Sequence, residues 1–231
     1  MIQIWSYSIA SVIIVSLISV VGILALAIKE KLLKDILIYF VSFSAGALFG
    51  DVFIHLLPET IEEYGFGLNI SLAILAGIAI SFLLEKIICW RHCHLPINKN
   101  HVHRFAYMNL FGDFFHNLLD GLSIAISYLI NIPVGIATTI AVILHEIPQE
   151  IGDFGVLLHG GFSKKKAIIY NFLTATSAII GAFIGLTLNL YIQNISSFLI
   201  PFAAGNFIYI AGSDLIPVSY THLTLPTNRE V

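Results

Sequence analysis

The chain has 231 residues, of which 58% are hydrophobic and 11% charged, with a net charge of −3 and a mean hydropathy of +0.92. A soluble domain carries about 25% charged residues, so this composition excludes an ordinary soluble globule and points to an all-α polytopic membrane protein. There is no basic tract or aromatic RNA-binding motif, which argues against a nucleic-acid partner, and two cysteines close together in sequence, Cys89 and Cys93, do not form a disulfide framework.

A spanning helix needs roughly 20 mostly apolar residues. Seven segments qualify, at about 3–28, 36–57, 67–88, 105–130, 134–158, 166–191 and 196–217. The first has no basic leader and no small-residue cleavage site after a short apolar core. It therefore reads as a spanning helix rather than a signal peptide. The second carries Asp51 and His55 on one face, with Pro58 and Glu59 just beyond, and these could line an entrance. Between the third and fourth lies the polar stretch "CWRHCHLPINKNHVHR". It holds Cys89, His92, Cys93, His94, His101 and His103, a set able to hold metal loosely. Its C-x₃-C spacing is not that of a folded zinc finger.

The fourth segment, "FAYMNLFGDFFHNLLDGLSIAISYLI", places His116, Asn117 and Asp120 near its midpoint. His116 and Asp120 are four apart and share a face, and Asn117 borders it. The fifth carries His145, Glu146, Gln149, Glu150 and Asp153, with Pro148 among them. His145 and Gln149 share one face, while Glu146, Glu150 and Asp153 lie on the adjacent one. The connection "NIP" makes these two helices antiparallel neighbours, so both polar patches sit near the midplane. In the sixth, Asn171 reads as an interhelical hydrogen-bond partner. The seventh carries Asn206, and Asp214 near its end. Gly46–Gly50 and Gly181–Gly185 read as helix-packing surfaces.

All 11 Lys and Arg residues fall on alternate connections or in the tail: Lys29, Lys31 and Lys34; Lys86, Arg91, Lys99 and Arg104; Lys164, Lys165 and Lys166; and Arg229. By the positive-inside rule these connections are cytoplasmic and the N-terminus lies outside. The opposite side holds Glu59, Glu62 and Glu63. From the compact connections and the short N-terminus, a prokaryotic inner-membrane protein is expected.

Ionisable groups inside a membrane are costly, and their default reading is functional. Imidazoles, carboxylates and amide oxygens together suit a divalent first-row metal such as Zn²⁺, Fe²⁺ or Mn²⁺. A cation also offsets the cost of burying the carboxylates. Pro148 removes a backbone hydrogen bond and frees the carbonyl of Leu144, as expected where a helix lines a transport cavity.

"HNLLDG" (116–121) and "HEIPQEIGD" (145–153) resemble the paired signatures of the ZIP (Zrt/Irt-like) divalent metal transporters, and are most similar to the LIV-1-like branch. "HLLPE" (55–59) and "AGNFIYIAGSDLIP" (204–217) look like the same branch. The resemblance covers about residues 1–217. It implies a bundle of eight helices, seven of them visible here, that takes up divalent metal into the cytoplasm through a two-metal centre between the fourth and fifth. By that resemblance His116, Asp120, His145 and Gln149 hold one ion. Asn117, Asp120 and Glu146 hold the second, with Asp120 bridging. The branch usually has a histidine where this chain has Gln149, which can shift liganding toward Glu150. Residues 218–231 read as a non-family tail, a truncation or sequencing artefact.

The expected activity is secondary transport, not enzymatic, with Zn²⁺ as the main substrate and Fe²⁺, Mn²⁺ and Cd²⁺ as others. Asp51, His55, Glu59, Asp153, Asn206 and Asp214 are expected as entrance or secondary metal positions. The expected partners are metal ions and the lipid bilayer, with a homodimer as the assembly considered. Two alternatives share the residues. "HEIPQ" is one residue short of the H-E-x-x-H zinc-protease motif, and a metal sensor would bind without transporting.

Overall fold

The computed structural model describes residues 2–21, 30–89, 104–192 and 194–216. The stretch with His92, Cys93, His94, His101 and His103, and the tail at 218–231, lie outside the described residues. Cys89 and Asp214 are described by backbone alone.

The described residues are helical, with no strand among them. Helix α1 (Ile2–Ile18) ends in a 3₁₀ turn, Ser19–Val21. Helix α2 (Glu30–Gly50) runs through a π-helical turn, Asp51–Leu56, into α3 (Leu57–Tyr64). Next come α4 (Leu68–Cys89), α5 (Arg104–Ile130) and α6 (Ile132–His159). Helices α7 (Lys164–Ala175) and α8 (Ser177–Tyr191) are nearly continuous, and α9 (Ser196–Tyr209) leads into a second π turn, Ile210–Leu215. Five stretches are long and apolar enough to cross a membrane: Ile2–Val21, Val41–Tyr64, Leu68–Lys86, Ile132–His159 and Lys164–Tyr191. In α5 the apolar run is broken midway by Asp113, His116, Asn117 and Asp120.

The surface inverts the soluble pattern. Ile14, Phe43, Phe53, Leu75, Ile140 and Phe183 are exposed along the outer faces, while Asp113, Asn117, Asp120, Glu146 and Glu150 are buried. In lipid every backbone polar group must be satisfied internally, and the two π turns show how this chain manages prolines. Leu57 donates to the carbonyl of Val52 and Ile216 to that of Ala211, five residues back in each case. Each of these donors immediately precedes a proline in sequence, a residue that cannot donate to the helix ladder.

Pro148 has a different solution. Helix α6 continues through it, and the Leu144 carbonyl that it frees accepts a bond from Ser44 Oγ of α2 at 2.5 Å. Ser44→Ala leaves a buried acceptor unmatched and is expected to cost about 1–3 kcal/mol, measurable as a lowered melting temperature in detergent.

Two helix crossings bring backbones into contact through glycine. A Cβ on Gly121 of α5 would lie 1.9 Å from the carbonyl oxygen of Ala178 in α8, and one on Gly181 would lie 1.9 Å from that of Leu118. Gly77 of α4 and Gly205 of α9 make the equivalent crossing, with 2.1 Å to Phe202 and to Ile74 carbonyl oxygens. Small residues that let backbones approach are the usual adhesive between membrane helices. Gly181–Gly185 therefore sits in a packed interface. Gly46–Gly50 does not: nothing lies within 4 Å of a Cβ at either position. The buried edge of α2 is formed by Val41, Ser44, Ala45 and Leu48, and the two glycines turn away from it.

A single residue, Asn131, separates α5 from α6. It is extended (φ −161°), and its side-chain oxygen accepts from Val134 N at 2.9 Å, capping α6. Pro133 in the first turn adds a preset φ. The two helices that carry the polar patches are thus held antiparallel by a one-residue connection.

Candidate metal centre

His116 and Asp120 lie one turn apart on α5, and His145 and Glu146 are consecutive on α6. One ligand atom from each falls within 4.8 Å of all the others. Asp120 Oδ2 is 2.9 Å from His145 Nε2 and 3.7 Å from His116 Nε2. Glu146 Oε1 is 3.3 Å from His116 Nε2 and 3.6 Å from His145 Nε2. The two Nε2 atoms are 3.2 Å apart. Donors held at about 2.0–2.1 Å around one tetrahedral ion are roughly 3.3 Å from each other, so this spacing already matches a single metal position.

The tautomer of His145 supports that match. Its Nδ1 is 3.2 Å from the carbonyl oxygen of Ala141. A carbonyl only accepts, so Nδ1 carries a hydrogen and Nε2 is turned to the Asp120 carboxylate. At 2.9 Å Nε2 and the carboxylate oxygen have a proton or a metal cation between them. Fixing a ligand histidine through its far nitrogen is the usual outer support of a metal site.

Asp120, His145 and Glu146 are essentially sealed, whereas the His116 side chain is 18% exposed. It borders a cavity of about 200 Å³ that is also lined by Glu85, Asn109, Asp113, Gln149, Asp153, Asn206 and Tyr209. These residues lie between the cluster and the end of the bundle that carries Lys86 and the Lys164–Lys166 run. In the opposite direction Leu48, Val52, Val142 and Ala204 belong to one continuous buried core. The cluster thus communicates with the basic end and is closed toward the other.

The remaining expected residues are distributed around this group. Gln149 lines the cavity and is not among the four clustered side chains. Asn117 turns to Asp113, its Nδ2 donating to Asp113 Oδ1 at 2.7 Å. Glu150 accepts from Asn171 Nδ2 of α7. Asp153 accepts from Asn109 Nδ2 at 3.0 Å on the cavity wall. Asn206 accepts from Ser81 Oγ at 2.6 Å, and Tyr209 donates to Glu85, so α4 and α9 are tied together beside the cavity. Asp51 is buried at the first residue of the π turn, with His55 and Glu59 following at four-residue steps along the second span. Asn131 Nδ2 reaches Glu59 Oε1 at 3.5 Å. None of these three belongs to the cluster.

Asp113 is the residue that the sequence reading passes over. It is buried, it bonds Asn117, and its second oxygen accepts from Thr174 Oγ1 of α7. Its spacing was the available signal: 113, 117 and 120 follow a helical face that ends on a cluster ligand.

A helical membrane bundle with buried imidazoles and carboxylates at metal-ligand spacing defines a membrane protein that handles a divalent metal. Comparison with known proteins makes this specific. The family model described as ZIP zinc transporter matches residues 2–104 and 96–228, and the chain belongs to that family, in its LIV-1-like branch. It is 30% identical over 274 residues to zinc transporter zipt-7.1 of Caenorhabditis briggsae, covering 93% of this chain and 70% of that protein. It is 34% identical over 218 residues to zinc transporter YKE4 of Saccharomyces cerevisiae, covering 82% and 62%. Zinc transporter ZIP10 of Danio rerio is 45% identical over 112 residues, 48% of this chain and 13% of that protein. The chain thus spans about two thirds of the first two relatives and a small part of the third. All three carry the name of a transporter and not of an enzyme.

Proposed function

We propose that this chain is a secondary transporter that takes up divalent metal ions into the cytoplasm, Zn²⁺ first, with Fe²⁺, Mn²⁺ and Cd²⁺ as further substrates. The observation that carries the reading is the convergence of His145 Nε2, Asp120 Oδ2, His116 Nε2 and Glu146 Oε1, four atoms able to hold a metal and all within 4.8 Å of one another. One divalent ion satisfies all four. In this reading the N-terminus is outside, the basic connections are cytoplasmic, and the cavity beside His116 is the exit. Alternating access then opens the core above the cluster and closes the cavity below it. The entrance is assigned to Asp51, His55 and Glu59, and release to Asp153, Asn206 and Asp214. The membrane is assigned as the cell membrane and the assembly as a homodimer.

The test is reconstitution of the purified chain in proteoliposomes loaded with a metal-sensitive dye, with each metal supplied in turn. Zinc entry above the protein-free rate is expected. Zinc binding without entry would replace the transporter with a metal sensor.

Gln149 gives a second prediction. An amide oxygen is a weak neutral donor, and imidazole suits zinc better. Gln149→His, on the cavity wall next to His116, is expected to tighten zinc binding about tenfold and to raise discrimination against Mn²⁺. Isothermal titration with both metals measures it.

A further inference from the structure

We infer that Ser44 is a positioning residue for transport: its bond to the carbonyl that Pro148 frees fixes the register of α6 against α2 and favours the state in which the cavity beside His116 is open. The inference rests on reading the chain as a transporter, and it names a residue outside both signature motifs.

The bond has an unusual origin. In an uninterrupted helix the Leu144 carbonyl accepts from the N–H of residue 148, and proline has none. Ser44 Oγ takes that place from another helix, at 2.5 Å. The carbonyl belongs to the peptide unit that leads into His145, whose ring is already fixed through Ala141. One cluster residue is therefore held twice, by its own helix at the ring and by α2 at the backbone.

The two holds differ in what they join. Asn171 of α7 donates to Glu150 of α6, Thr174 of α7 donates to Asp113 of α5, and Ser177 of α8 donates to the Phe114 carbonyl of α5. These bonds group the cluster-bearing helices with α7 and α8. Ser44 comes from α2, a helix that none of the three includes. Opening the core above the cluster requires α6 to shift against α2, because Leu48 and Val52 belong to that core with Val142 of α6.

Such a shift cannot keep the bond. Ser44 is fully buried, and one turn either way along the same buried edge of α2 lie Val41 and Leu48. Neither has a hydrogen to donate. A one-turn displacement, the usual step between packed helices, leaves the Leu144 carbonyl against an aliphatic side chain. The bond therefore stabilises one register only, and in this structure that register goes with the cavity open toward the basic end.

The test uses the full chain in proteoliposomes. Leu84 lines the cavity, so Leu84→Cys, in a background of Cys89→Ser and Cys93→Ser, reports cavity opening through its reaction with a membrane-impermeant maleimide applied from the cavity side. Ser44→Ala should slow this labelling at least about fivefold. The external zinc concentration that half-saturates uptake should fall, since the outward-open fraction grows. Ser44→Thr, which keeps the hydroxyl, should restore both. Pro148→Ala supplies the decisive comparison. Its N–H returns the Leu144 carbonyl to α6, so adding Ser44→Ala to it should change labelling less than twofold. Where Ser44→Thr fails to fold, this double-mutant cycle decides. A folded Ser44→Ala chain that melts lower but labels and saturates as wild type does would reduce Ser44 to a packing residue, as would an equal Ser44→Ala effect with and without Pro148. Absence of zinc uptake in wild type would instead sink the transporter reading, and the labelling cycle would still judge Ser44.

Discussion

Asp120→Ala is expected to abolish zinc uptake while the chain still reaches the membrane. Its carboxylate is the shared neighbour of both imidazoles, 2.9 Å from His145 Nε2 and 3.7 Å from His116 Nε2. The replacement removes the carboxylate nearest His145 and leaves Glu146 as the one carboxylate of the cluster. Loss of an outer support alone costs a metal site 10–100-fold, so loss of the central ligand should cost at least about 100-fold. His145→Ala should match it, because Ala141 holds the ring in the tautomer that directs Nε2 at Asp120. Radioactive zinc uptake in cells, normalised to surface-labelled protein, is the measurement. Uptake at the wild-type rate in both variants would remove the cluster from the transport path.

The four-residue spacing of His116 and Asp120, and the single-residue turn before α6, were enough to bring together four side chains able to hold a metal. Local helical geometry governs those relations. What the sequence could not supply was rotation and reach between helices. Gln149 lies one turn from His145, yet packing of α6 puts it on the cavity wall. Asn117 follows His116 in the motif, but it bonds back along its own helix to Asp113. Asp113 itself is held by Thr174, 61 residues away, a partner no local pattern points to. The same limit applies to the glycines. Gly46–Gly50 and Gly181–Gly185 have identical spacing, and only the second pair is packed, Gly181 against another backbone and Gly185 against side chains. The π turns were hidden for a related reason: a proline announces a missing donor, whereas the neighbouring helices decide how the register is repaired.

Those backbone contacts carry the other large effect. Gly121→Val is expected to prevent accumulation of folded protein. A Cβ at this position would lie 1.9 Å from the Ala178 carbonyl oxygen, 2.5 Å from its carbon and 2.6 Å from its Cα, all backbone atoms of α8 that cannot swing aside. Relief requires α5 and α8 to separate, and Gly181 against Leu118 would open with them. Overpacking by a methylene costs about 1–3 kcal/mol where side chains can give way and more where they cannot, and valine adds two more carbons with a stiff χ1. Gly121 directly follows Asp120, so the displacement acts on the helix that presents His116 and Asp120 to α6. Gly185→Ala is the control. Its Cβ would meet side-chain atoms only, the nearest at 3.3 Å, and it should melt within about 1 kcal/mol of wild type. Fluorescence-detected size exclusion with a temperature ramp separates the two outcomes. A Gly121→Val protein that elutes and melts as wild type does would show that the α5–α8 crossing can widen, and the close glycine contact would then have no part in positioning the cluster.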